Sequence, residues 1–324
     1  MTKFGTLSRF RNAENYLKYV SQLDKKSELL DVLLLSPRQF IKPQFGFIRD
    51  FKRIFQASRL SSAEIPTSGK LPEIEVFVAC IAKDFELLPR VLASGVSSSK
   101  NNVKKITVAT TPDLLDTKLD IEGIQVNFVD ENSLVSEINR SALKVKFGSR
   151  YGWVLQQLLA LTFVMDSKAA GILVLNADTI ITRRQIWLNE RSEQPLMCSF
   201  EYNKLYYEFL GLYGFPTKKF KCSHITHHML MQPAKLRSIY AHYIIKNLDD
   251  FIVDIVDYSQ THISPVCIEF ELYAYGMLGI YPELIKKRKF ANINVRRSEN
   301  SLDTESASQL SNSYNSFSLH EYLN

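Results

Sequence analysis

Residues 171–179, GILVLNADT, end a short apolar run in two oxygen-bearing side chains, Asn176 and Asp178. Two such donors, two positions apart, can face one hard divalent cation, and a cation held there can in turn hold a diphosphate. The run 172–175 has the length and unbroken apolarity of a strand covered on both faces, as in a parallel sheet. The carboxyl end of such a strand is where open α/β sheets bind ligands. The same letters also fit a plain strand-ending turn whose Asx side chains bond the backbone.

A second group with chemical potential is Glu269, set in the apolar, aromatic stretch PVCIEFELYAYG. A carboxylate is costly to bury without a partner, and burial raises its pKa toward that of a useful general base. Glu271 lies two residues on, which on a helix is a turn of about 200°, so the two cannot share a face. That spacing selects Glu269 as base or acceptor ligand; a structural ion pair with Lys or Arg is the competing reading. Lys83 and Asp84 follow the first expected strand, at a βα turn suited to a nucleotide base and ribose. Lys146 and Arg150 fit phosphate contacts or a solvated face equally well.

The elements that must position these residues alternate. Residues 75–80 (EVFVAC) read as a strand, 85–95 as a helix, 106–110 (ITVAT) as a strand and 126–129 (VNFV) as another. An apolar helix at 152–166 leads into the strand 172–175. Strands separated by helical stretches predict parallel βαβ units, hence an α/β fold with a Rossmann-like, mixed and mostly parallel sheet flanked by helices. Helical spacing recurs at 233–248 and 265–280, with a mixed, aromatic-rich region between 195 and 232. The organisation expected is a basic helical extension and linker over 1–70, a catalytic domain over 71–295, and a Ser/Asn-rich disordered tail over 296–324. Within the extension, Phe47, Ile48, Phe51, Ile54 and Phe55 fall on one face of a basic amphipathic helix at 44–60. That helix fits either packing on its own domain or contact with an anionic membrane surface.

Composition excludes several classes. The 324 residues are 45% hydrophobic and 23% charged, as in an ordinary globular protein. The net charge is +6, and the first sixty residues alone hold 12 Lys and Arg against 5 Asp and Glu, so the rest is close to neutral. A near-neutral body argues against nucleic acid as a partner. The four cysteines show no zinc-site spacing. The opening MTKFGTLSRFRNAENY has no apolar leader, and no run reaches a membrane span, which together predict a cytoplasmic protein.

In order, the blocks EVFVACIAKDFELLPRVLASG, ITVATTPD, YGWVLQQLLAL, ILVLNADTII, SHITHHMLM and CIEFELYAYG resemble the DUF6492-type group of bacterial glycosyltransferase-like proteins of the GT-A type. The likeness runs from about 73 to 283. It implies a GT-A-like fold and a glycosyltransferase that moves sugar from a nucleotide-sugar donor to a glycan or lipid-linked acceptor, assisted by Mn²⁺ or Mg²⁺. It further implies Asp178 as metal ligand, a late His, either His227 or His228, on the metal or diphosphate, and Trp153 and Gln157 on donor or acceptor. Gln156 and Gln157 project about 100° apart, so one of them faces the cleft. Relatives carry Asp-X-Asp where this chain has Asn176, which keeps a carbonyl oxygen and loses a charge. Weakened metal binding follows, or a degenerate, non-catalytic nucleotide- or glycan-binding protein of the same fold. A nucleotidyltransferase ranks last, because no Gly-rich nucleotide loop follows the first strand.

Overall fold

The computed structural model describes residues 63–198, 204–217, 223–260, 269–289, 292–296 and 315–320. The basic amphipathic helix expected at 44–60 lies outside the described residues. Along the chain run β1 (Ile74–Ala79), α1 (Leu88–Ser97), β2 (Val103–Thr110), β3 (Asp120–Ile121), β4 (Ile124–Asp130), α2 (Glu137–Phe147), α3 (Tyr151–Asp166), β5 (Ile172–Asn176) and β6 (Thr179–Ile181). Then follow β7 (Gln194–Cys198), α4 (Lys204–Leu212), β8 (His228–Met231), α5 (Pro233–His242), α6 (Leu248–Gln260), α7 (Glu269–Ile280), β9 (Ile285–Lys289), β10 (Asn292–Arg296) and β11 (Ser316–His320).

Six strands form the main sheet in the order β3-β4-β2-β1-β5-β8. β1 is parallel to β2 and β5, and β2 to β4, while β3 and β8 join antiparallel at the two edges. This is the mixed, mostly parallel sheet that the βαβ spacing predicts. The chain winds outward from β1 through β2 to β4, then returns to lay β5 on the other side of β1. That reversal makes the carboxyl ends of β1 and β5 the topological switch point of the sheet. Ala79 pairs with Asn176 in register, so the two strands finish level.

Because successive side chains point to opposite faces, the strands supply two separate cores. Phe77, Ala109, Ile172, Val174, Met229 and Met231 pack under α3 and α7, and α5 and α6 extend that core. Val76, Val78, Ile106, Val108, Leu173 and Leu230 pack under α1, with Trp187, Phe317 and Leu319 closing the far side. Each fully buried Val, Leu, Ile or Phe contributes about 1.5–3 kcal/mol, which is why both faces are sealed. α7 approaches α5 closely enough that a Cβ at Gly276 would lie 2.5 Å from the Ile239 side chain. None of the described helices is long and apolar enough to cross a membrane.

Two stretches read as unstructured are held. In the expected linker, Glu64 accepts from Ile186 N (2.8 Å) and pairs with Lys100 (2.6 Å), while Ile65 is buried. Glu190 accepts from Thr67 Oγ1 and from both N and Oγ of Ser68, which holds its carboxyl at about 2 although it is exposed. In the expected disordered tail, residues 316–320 form a strand instead, parallel to β10 and antiparallel to β6. Phe317 and Leu319 enter one core, and Ser316 and Ser318 on the other side are also fully buried. A buried Ser in a Ser/Asn-rich stretch carries no hydrophobic signal, so the alternation is not visible as a strand.

Candidate active site

At the switch point, the polypeptide leaves β5 at Asn176 and turns through Ala177 and Asp178 into β6. The turn is braced by the distant β11: Leu319 N donates to Asp178 O (2.8 Å), and Thr179 Oγ1 lies 2.9 Å from Ser318 Oγ. Thr179 Oγ1 also lies 3.2 Å from Asp178 Oδ1. The strand-ending turn is therefore present, and Asp178 stays only partly buried.

The next strand over brings the imidazole. Asn176 N donates to His227 O (2.9 Å), which extends the β5–β8 ladder by one rung past the strand end. His227 itself has φ +60°, a left-handed backbone that a non-glycine residue adopts at a cost of order 1–3 kcal/mol and that concentrates at functional sites. In this conformation its Nδ1 lies 3.2 Å from Asn176 Nδ2. An amide nitrogen can only donate, so with the amide turned this way Nδ1 accepts. Binding one cation through both groups requires the amide to turn its Oδ1 inward.

His228 parts from its neighbour. Strand alternation carries it to the α1 face with Leu230, where it is 1% exposed and packs edge-on against Trp187 with ring centroids 5.5 Å apart. Burial, with a smaller contribution from the adjacent His227 imidazole, lowers its pKa to about 3. Of the two alternatives, only His227 reaches Asn176, and His228 is a core residue.

The cleft beside Asn176 is narrow, with room for about one water molecule, and is lined by Phe77, Ala79, Gln156, Ala160, Val174 and Glu269. Glu269, the first residue of α7, is 4% exposed, and a carboxylate at a helix N-terminus is favoured by the helix dipole. Glu271 points elsewhere, as the 200° turn requires. It accepts from Ser223 Oγ (2.6 Å), His224 N (3.1 Å) and Tyr207 OH (3.2 Å) and ties the segment before β8 to α7. The glutamine on the cleft wall is Gln156, where the resemblance implied Gln157: Gln157 is 1% exposed and donates to Trp153 O (3.0 Å) within α3. Trp153 is half-buried against the α3 core. Lys83 and Asp84 form the turn Ala82–Asp84 straight after β1 and pair loosely at 4.0 Å.

At the carboxyl end of β4 lies a charged group that the sequence reading passed over. Burial raises the Glu131 carboxyl above its usual range, Arg140 opposes the rise, and Asp130 and Asp113 add to it. Burial likewise raises the Tyr151 phenol, against the pull of Arg140. Spacing offers no signal here, because three separate elements meet.

No family model matches the chain and no curated protein does, so the DUF6492-type resemblance stands on the quoted blocks alone. Among solved structures, an active-site mutant of LgtC aligns at TM-score 0.42 and 10% identity, over 76% of this chain and 86% of that one. Galactosyltransferase LgtC in complex with donor and acceptor sugar analogs aligns with the same figures. Mouse xyloside xylosyltransferase 1, apo form, aligns at TM-score 0.40 and 13% identity, over 76% and 97%. At these scores the alignments are a likeness only, and the chemistry must come from the residues themselves.

Those residues limit what a metal could be here. Among the described residues no three His, Cys, Asp or Glu gather as a metal-binding group. Asp178 brings one charge, Asn176 a neutral carbonyl and His227 a neutral imidazole. That set is too poor for a resident all-protein cage. It fits Mg²⁺ or Mn²⁺ arriving with a diphosphate, because such ions are held by one or two carboxylates plus the phosphates they accompany.

Proposed function

We propose that the protein is a GT-A-type glycosyltransferase that takes a nucleotide-sugar donor at the switch point between β1 and β5. One observation carries this reading: Asn176 and His227 meet at the strand ends, beside the turn bearing Asp178, and the cleft adjoining them is walled by Gln156 and Glu269. Asp178, the Asn176 carbonyl and His227 would hold the cation that comes with the donor. That cation would offset charge developing on the leaving diphosphate. Lys83 and Asp84 border the donor from the turn after β1. Gln156 has an amide for a sugar hydroxyl, and Glu269 takes the proton of the acceptor hydroxyl, a glycan or lipid-linked one.

A second reading, a non-catalytic nucleotide-binding protein, is favoured by Asn176 standing where a second carboxylate would serve a metal. Calorimetric titration of UDP, GDP and CDP, each with and without Mn²⁺, on the native protein and on Asn176→Asp, separates the two. The transferase reading expects one nucleotide to bind in a Mn²⁺-dependent way and Asn176→Asp to tighten it. Metal-independent binding unaffected by Asn176→Asp supports the second reading. No binding by folded protein overturns both.

A further inference from the structure

The two most exposed large apolar side chains of the described residues are Val145 (88%) and Ile138 (82%), and both lie on α2. Their separation of seven residues is two helical turns, so they stand on one line, with exposed Ser141 and Ala142 between them. The opposite side of α2 is held down by Leu143, which is fully buried. A surface helix normally shows the reverse pattern, with its apolar stripe inward and its charges outward. Basic side chains flank the ridge: Lys144 is exposed on one side, Lys146 half-exposed on the other, and Arg150 exposed in the turn Gly148–Arg150 that follows. Acids are also at hand: Glu137 opens the helix, and the adjoining α6 exposes Asp249, Asp250, Asp254 and Asp257, of which Asp249 accepts from Asn139 (2.5 Å), Asp250 from Asn247 and Asp254 from Tyr213.

We propose that α2 is a docking element for an anionic bilayer surface. Charge complementarity selects this occupant: an apolar ridge bordered by lysines on both sides suits an interface where the apolar tips enter the headgroup layer and the ammonium groups stay with anionic lipid phosphates. The placement adds a consequence. α2 runs through its closing turn into Tyr151 of α3, and Gln156 on the cleft wall lies about 8 Å further along that helix. α2 is thus joined directly to the helix that carries the cleft-wall glutamine. The docking itself stands apart from the transferase reading and can be tested without any turnover.

The test is co-sedimentation of the full chain with phosphatidylcholine vesicles, with and without phosphatidylglycerol, at low and high salt. The native protein is expected to sediment with the phosphatidylglycerol vesicles and to be released by salt. The double variant Ile138→Asp/Val145→Asp is expected to weaken partition at least about tenfold, and Lys144→Glu/Lys146→Glu to do the same. Both pairs lie on the solvent side, so circular dichroism and melting temperature should match the native protein. Undiminished partition of the two variants overturns the proposal, even if changes within 44–60 abolish binding. So does concentration-dependent self-association of the native protein that the Ile138/Val145 variant abolishes without any effect on vesicles.

Discussion

The two faces of the central sheet are built by the same strands and end in different chemistry. On the α3/α7 face, Asn176 and His227 run past the strand ends to meet beside a cleft walled by Gln156 and Glu269. On the α1 face, one residue along, Leu173, Leu230 and His228 are sealed against Trp187, Phe317 and the α1 side chains. Neighbours in sequence thus live in different media: His227 is partly open, and His228 is buried and neutral. Polar groups survive on the first face because the strands stop there and a turn, strained at His227, can aim them at a shared space. On the second face the strands are roofed to their ends. α7 repeats the division on a helix, where Glu269 borders the cleft while Glu271 serves as an internal tether.

The glutamate pair gives the largest expected effects. Glu269→Gln should lower transfer to acceptor by about 10²–10⁴-fold while leaving donor affinity and melting temperature near native. Glu271→Ala should do the opposite: three buried donors lose their acceptor, at about 1 kcal/mol or more each, so stability falls by at least about 3 kcal/mol in urea unfolding. Loss of stability in Glu269→Gln, with intact transfer, would erase the contrast between the two positions.

The buried histidines give a smaller effect, read by pH. Burial lowers His228 to about 3 and His224 to about 4, the latter against a hydrogen bond to Met197 O. The unfolded chain therefore takes up protons from about pH 6.5 downward while the folded chain does not. Stability is full above that pH and is lost as pH falls toward the folded values. At roughly 1.4 kcal/mol per pH unit, each histidine costs about 2 kcal/mol at pH 5. In unfolding measured between pH 7 and 5, His228→Gln should remove about half of this slope, and His227→Gln should leave it in place. Equal slopes for the two variants would mean that the faces do not differ in this way.

Much of the scaffold was readable from sequence, and the reasons differ by element. β1, β2 and β5 show as apolar runs because both of their faces are covered, and α3 shows because its length exceeds that of a strand. α2 left no readable stripe, since its most apolar positions face out. β8 was lost in the mixed region before α5, where Ser, Thr and His precede four buried residues. β11 hid behind buried serines. At the site, Asn176, Asp178 and Glu269 were legible from residue type against an apolar background. The choice between Gln156 and Gln157, and between His227 and His228, was not, because each pair differs only in which way one residue faces. That direction is fixed by packing partners far along the chain, such as Trp187 for His228.

The central claim is that Asp178, at the turn next to the Asn176–His227 contact, belongs to a donor site. The direct test is calorimetric titration, in saturating Mn²⁺, of the nucleotide that binds the native protein into Asp178→Ala. The account predicts that metal-dependent binding is lost while the melting temperature is retained, since the brace from Leu319 reaches the backbone of residue 178 and not its side chain. Native affinity in Asp178→Ala would contradict it.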